Sequence, residues 1–169
     1  MKYLLSLNEL FEYSDVTTDA NVLKSELNKG SMFDGASIDI EIKDITYHFS
    51  TQLREFGYFF YIYFSFFIKE DKYRSDAYNY VINKDMTISV LNTLPLVVDE
   101  YKKLLVENNL QHKEIKGFYY DADEPKRRNI YEYFFKKRLG DRLDEITTTT
   151  NHFILVKLKE PVLVENLYL

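Results

Sequence analysis

The amino-acid sequence predicts an α+β protein: a mostly antiparallel, twisted sheet of about six to seven strands with helices packed on it. Three observations predict it. Between residues 38 and 91 the apolar residues alternate or run together, as in strands. Residues 94–107 and 124–139 carry apolar residues at helical spacing behind capping and proline signals. The stretches 114–120 and 147–159, between and after those helices, are again strand-like.

Residues 16–29 read as a helix. Thr17, Thr18 or Asp19 can cap it, Val22, Leu23 and Leu27 share a face, and Gly30 stops it. Residues 31–36 read as a loop. Ile38, Ile40 and Ile42 then alternate with Asp39, Glu41 and Lys43, and the phase slips by one at Lys43–Asp44 before Ile45, Tyr47 and Phe49. A β-bulge there would keep one apolar face. Residues 58–68, YFFYIYFSFFI, are apolar or aromatic on both faces, which predicts a central strand covered on both sides. After a turn at 71–76, residues 77–82 and 86–91 read as two strands joined at 83–85. Thr93 is placed to cap the next helix with Pro95 in its first turn, and Val97, Tyr101, Leu104 and Leu105 line one side. The second helix has Asp123 as cap, Pro125 at its start, Ile130, Tyr131, Phe134 and Phe135 as its buried stripe, and Gly140 as its stop. Residues 161–169 read as an added edge strand, a surface on which a second copy could pair. The order is α, a run of β, α, β, α, β, with one crossover pair.

The chain has 169 residues, 46% hydrophobic and 29% charged, and no linker or repeat, so a single domain spanning 1–169 is expected. With no cysteine, disulfides, thiolate metal sites and cysteine nucleophiles are excluded, and a reducing cytosol fits. Three histidines argue against a His-rich metal site, and no metal is expected. The first 13 residues carry Glu9 and no cleavage site of a secretory signal. The longest uncharged stretch, Phe56–Ile68, is 13 residues, short of the roughly 20 a membrane helix needs. A cytoplasmic protein without a membrane partner is therefore expected. Aromatic residues make up 17% of the chain. AT-rich coding and a sticky partner surface both produce that enrichment.

The net charge of −5 disfavours general nucleic-acid binding. One segment departs from it: residues 126–142 hold seven positive and two negative side chains. Lys136, Lys137 and Arg138 suit the end of a helix, where the dipole favours cations. Arg127 and Arg128 stand in the first turn, where they and the backbone N–H groups favour an anion such as phosphate.

The order meander, helix 94–107, strand 114–120, helix 124–139, strand 147–159 resembles the C-terminal two-thirds of the GNAT acyltransferase fold. Within it, Asn129-Ile130-Tyr131 followed by Phe134 and Leu139-Gly140 is similar to that family's late helix, whose tyrosine lies near the acyl-CoA thioester. The resemblance implies acetyl-CoA as the donor, with Tyr131 as general acid toward the departing thiolate; otherwise no cofactor is expected. The family's Gly-rich pyrophosphate loop has no counterpart in Ile88–Val97. Tyr131 also lies on the buried stripe, where it would serve as core. A second resemblance is to 2H phosphoesterases: His48-Phe49-Ser50 matches their H-x-[S/T], and His152-Phe153-Ile154 lacks the hydroxyl residue. With no catalytic motif complete, the sequence favours a small binding or inhibitor protein that acts on another protein through the acidic residues Asp39, Glu41 and Asp44.

Overall fold

The computed structural model describes residues 20–28, 34–69, 84–121, 125–149 and 153–169. The fold is α+β, as the sequence predicts. Strands β1 (Ala20–Leu27), β2 (Gly35–Ile42), β3 (Ile45–Phe56) and β4 (Phe59–Ile68) precede helix α1 (Lys84–Glu107). Strand β5 (Glu114–Asp121), helix α2 (Pro125–Leu139), β6 (Leu143–Thr148) and β7 (Phe153–Leu163) follow. The seven strands form one sheet in the order β1-β2-β3-β4-β5-β7-β6. Only β4 and β5 among the hydrogen-bonded neighbours run parallel; every other pair is antiparallel. A parallel pair needs a crossover, and α1 lies within it.

Several elements differ from the sequence reading. Residues 20–27 form an edge strand, not part of a helix; residues 16–19 and 29 lie outside the described residues. A register shift between Val22 and Lys24 moves the half-buried positions from Ala20 and Val22 to Ser25 and Leu27, and that slip imitates helical spacing. At Lys43–Asp44 there is a hairpin turn in place of a bulge. Both residues have positive φ, 50° and 61°, as in a type I′ turn, and Ile42 pairs with Ile45. Paired residues share a face, so a two-residue turn flips the parity of the apolar positions while keeping them on one side. Ile38, Ile40 and Ile42 thus lie beside Phe49, Tyr47 and Ile45.

Residues 86–91 belong to α1, not to a strand; 77–82 lie outside the described residues. Ile88, Leu91, Leu94, Val98, Tyr101 and Leu105 are buried at helical spacing straight through Pro95. Pro95 is therefore interior to the helix, and Thr93 is no cap: its hydroxyl donates back to the Ser89 carbonyl at 2.8 Å. Residues 147–159 are divided between β6 and β7, which form a hairpin. Val162 and Leu163 complete β7 against β5, and Val164–Asn166 is a 3-10 turn. Residues 164–169 add no edge strand; among the described strands the edges are β1 and β6.

Both helices pack on one face of the sheet. That face carries Ile38, Ile40, Tyr47, Phe49, Ile62, Phe64, Phe118, Tyr120, Ile154 and Val156, joined in one core with α1 and with Ile130, Phe134 and Phe135 of α2. Each such side chain contributes about 1.5–3 kcal/mol of transfer free energy. β4 is the central strand, yet no described helix covers its other face. There Tyr61, Tyr63, Tyr119, Phe153 and Phe56 pack on one another, with the Arg54 guanidinium 4.4 Å above Tyr63. Aromatic packing within the sheet face accounts for a strand apolar on both sides. No helix among the described residues is long and apolar enough to cross a membrane.

Candidate functional site

The parallel pair creates the most distinctive place in the fold. The β4–β5 ladder ends at Phe64↔Tyr120, while β4 runs on through Ser65 to Ile68. The carboxyl ends of adjacent parallel strands are where open α/β sheets bind ligands. Two tyrosines mark this last rung. Tyr120 is 1% exposed and lies on the helix face. Its ring stacks on Tyr131 at 4.6 Å, on Phe135 at 5.4 Å and on Phe64 at 5.5 Å. The Tyr120 hydroxyl is buried and has no hydrogen-bond partner among the described residues. Burial, and then the neighbouring Tyr131 and Glu132, push its pKa up, so it remains a protonated donor at neutral pH.

Tyr131 lies on the buried stripe of α2, as its spacing predicts, and is 4% exposed. It joins the rung through Tyr120. Helix α2 starts at Pro125, shortly after β5 ends at Asp121, so its N-terminus stands at the same end of the sheet. Arg127 and Arg128 occupy its first turn, which contains no acidic residue. Arg128 is half-buried; the Arg127 side chain lies outside the described ones. At the other end of α2, Lys136, Lys137 and Arg138 are exposed, matching the dipole.

On the opposite face, the register aligns Asp39 of β2 with His48 of β3, and His48 with Phe67 of β4. His48 Nδ1 lies 2.6 Å from Asp39 Oδ1, and Lys69 Nζ donates to Asp39 Oδ2 at 2.7 Å. Burial pushes the Asp39 carboxyl up, but the hydrogen bonds from Lys69 and His48 outweigh it and hold the pKa below the usual carboxylate value. An ionised carboxylate only accepts, so His48 Nδ1 carries a hydrogen and donates it to Asp39 Oδ1.

The predicted acidic face is thus divided. Asp39 is buried and engaged inside the protein, Glu41 is half-buried on the same strand, and Asp44 is exposed in the turn. His152 lies outside the described residues. No local pattern points to Lys69 or Tyr120: packing across space brings Lys69 to Asp39 and the Tyr120 ring to Tyr131. Among the described residues, no group of three or more His, Asp and Glu side chains is placed to hold a metal ion. Comparison with protein-family models and with curated proteins finds no match.

Proposed function

We propose that the chain is a GNAT-type acyltransferase that takes acyl-CoA at the end of the β4–β5 ladder. The observation that carries this reading is the last rung of the parallel ladder. Tyr131, the residue given by resemblance to the family's thioester tyrosine, stacks on Tyr120 where the ladder ends. The buried hydroxyl of Tyr120 has no partner among the described residues, which suits a ligand carbonyl or amide at that point. The strand order supports the same reading, with a meander, a parallel pair and a final hairpin whose second strand sits inside.

One departure is plain. Ile88–Val97 lies inside α1, and residues 70–83, which precede that helix, contain no glycine. Backbone amides of a Gly-rich loop would not be the main phosphate grip. The first turn of α2, with Arg127 and Arg128, takes that role in this reading. Tyr131 would give its phenolic proton to the departing thiolate.

Thermal shift with acetyl-CoA, CoA and a nucleotide panel tests the proposal. Ligand at a hundredfold over its Kd adds about 2.7 kcal/mol, hence roughly 5–10 °C in a chain of this length. Absence of any shift with acetyl-CoA and CoA rules the reading out.

A second reading, a protein-binding or inhibitor role, draws support from Phe56, Tyr58 and Phe67, which are exposed at 45%, 95% and 40%. Changing Glu41 and Asp44 to Lys should then slow capture of a basic partner. An unchanged association rate counts against it.

A further inference from the structure

We propose that the cavity between the short 3-10 turn after α2 and an outcrop of β7 binds a free α-amino acid with an apolar side chain. The site is separate from the one assigned to acyl-CoA and does not depend on that reading.

The cavity originates in a break in the β5–β7 ladder. Ile115 pairs with Val162 and Gly117 with Lys157, so two steps along β5 face five along β7. The intervening residues of β7 are pushed out of that ladder, and Pro161, with no N–H to give, suits such a stretch. Lys116 Nζ donates to the Lys159 carbonyl at 2.7 Å and ties the outcrop to β5. Beside it, Gly140 takes a φ of 52° and turns the chain out of α2. The 3-10 turn Gly140–Arg142 then leads into β6, whose Leu143 pairs with Leu158. Between the turn and the outcrop lies a cavity of about 260 Å³.

Its lining divides evenly by chemistry. Leu158 and Val162 are apolar, Arg142 and Lys159 cationic, Asp141 and Glu160 anionic. The wall itself is mostly carbon, so the charged ends stand at the rim above the side-chain stems. Among the described residues, none of these four charges forms an ion pair. Arg142 is held by Tyr168 instead: the guanidinium lies 3.7 Å from the ring centroid, and Nη1 donates to the Tyr168 carbonyl at 3.1 Å. Neither a ring nor a carbonyl carries a net charge, so the cation is fixed in place and left for a carboxylate.

Volume sets the size of the ligand. A cavity of about 150 Å³ holds one benzene ring, and pockets for drug-sized ligands start at roughly 300 Å³. The space fits a phenyl or branched aliphatic group with one Cα and its substituents. Charge sets the class. A simple acid would meet Asp141 and Glu160 as well as the cations, and a simple amine would meet Arg142 and Lys159 as well as the acids. A zwitterion answers both pairs, with its carboxylate toward the cations, its ammonium toward the acids and its side chain on Leu158 and Val162. A peptide end carries only one of those charges beside its side chain. Val162 lies across from Ile115, five residues before Tyr120 on β5, or roughly 16 Å along the strand from the last rung.

The test is an NMR titration of the isotope-labelled full chain with L-phenylalanine. About twelve heavy atoms at ordinary ligand efficiency give a Kd on the order of 1 mM. Saturable shifts should appear at residues 140–143 and 157–162. N-acetyl-L-phenylalanine lacks the ammonium and L-phenylalanine amide lacks the carboxylate; each should bind at least about tenfold more weakly. Arg142→Gln should weaken L-phenylalanine about tenfold without weakening the amide, which has no carboxylate to lose a partner. The pair Asp141→Asn with Glu160→Gln should weaken L-phenylalanine by a similar factor without weakening the N-acetyl form. The analogue series uses the wild-type chain, so it decides even where a variant disturbs the Tyr168 contact. No saturable shift with L-phenylalanine or L-leucine up to about tenfold over that Kd overturns the proposal. So does either analogue binding within about twofold of the free amino acid, the behaviour of a site for peptide ends or simple ions. Shifts that leave residues 140–143 and 157–162 unmoved overturn it as well, and none of these results bears on acetyl-CoA binding.

Discussion

Replacing Tyr120 by Phe removes a hydroxyl and leaves the ring stacks with Phe64, Tyr131 and Phe135 in place. The hydroxyl is buried without a hydrogen-bond partner among the described residues. An unsatisfied buried polar group of this kind costs about 1–3 kcal/mol. The upward-shifted pKa keeps the phenol neutral, so the substitution removes no charge. Tyr120→Phe should therefore stabilise the ligand-free protein by about 1–2 kcal/mol, a rise of roughly 2–8 °C in Tm. Guanidinium denaturation and thermal melting should agree in sign. With acetyl-CoA present the advantage should shrink, because the variant cannot donate to the ligand. A lost hydrogen bond of about 1.4 kcal/mol is a tenfold weaker Kd. If Tyr120→Phe instead destabilises the ligand-free protein by about 1 kcal/mol or more, the hydroxyl is bonded and the reasoning about the rung is wrong.

Other consequences follow from the same geometry. A Cβ on Gly117 would run into the Val156 carbonyl oxygen across the β5–β7 ladder, so Gly117→Ala should cost at least about 2 kcal/mol; a neutral result in a denaturant melt would place that register elsewhere. Lys43 and Asp44 hold positive φ, and the pair Lys43→Asn with Asp44→Gly should add about 1 kcal/mol; a loss of stability would show that the turn is of another type. Asp39 has a pKa lowered from 3.8, so it stabilises the fold above that pH, and the contribution disappears as pH falls through the lower native value. Asp39→Asn should flatten the acid limb of stability against pH below about 4, and an unchanged limb measured by acid titration of the fold would exclude this role.

Helix α2 and strand β5 were legible because their signals are local: Pro125 and Gly140 bracket a stripe of apolar residues, and Gly140 has positive φ in the structure. The strand content of 38–68 was legible for the same reason. The connections were not. A parity slip at Lys43–Asp44 is compatible with a bulge or with a two-residue hairpin, and only pairing across space decides between them. The candidate site depends on that choice. Once Ile42 faces Ile45, counting outward brings Asp39 to His48, two residues that local reading treats as a strand-face acid and a separate strand-face base. Pro95 hid the continuity of α1 because a proline normally starts or breaks a helix. The buried spacing of Ile88, Leu91 and Leu94 overrides it through tertiary packing. Tyr131 was readable both as core and as a site residue, and the structure makes it buried while stacking it on the rung where the ladder ends. No local pattern links Tyr120 to it.

The most direct test of the account is amide hydrogen exchange with and without acetyl-CoA. If acyl-CoA binds at the end of the β4–β5 ladder, protection should rise in Ser65–Ile68, the part of β4 beyond its last rung, and in the first turn of α2. Exchange in the β2–β3 hairpin turn should stay the same. Unchanged exchange in both the end of β4 and the start of α2, at acetyl-CoA concentrations that saturate any shift in melting, would contradict the account.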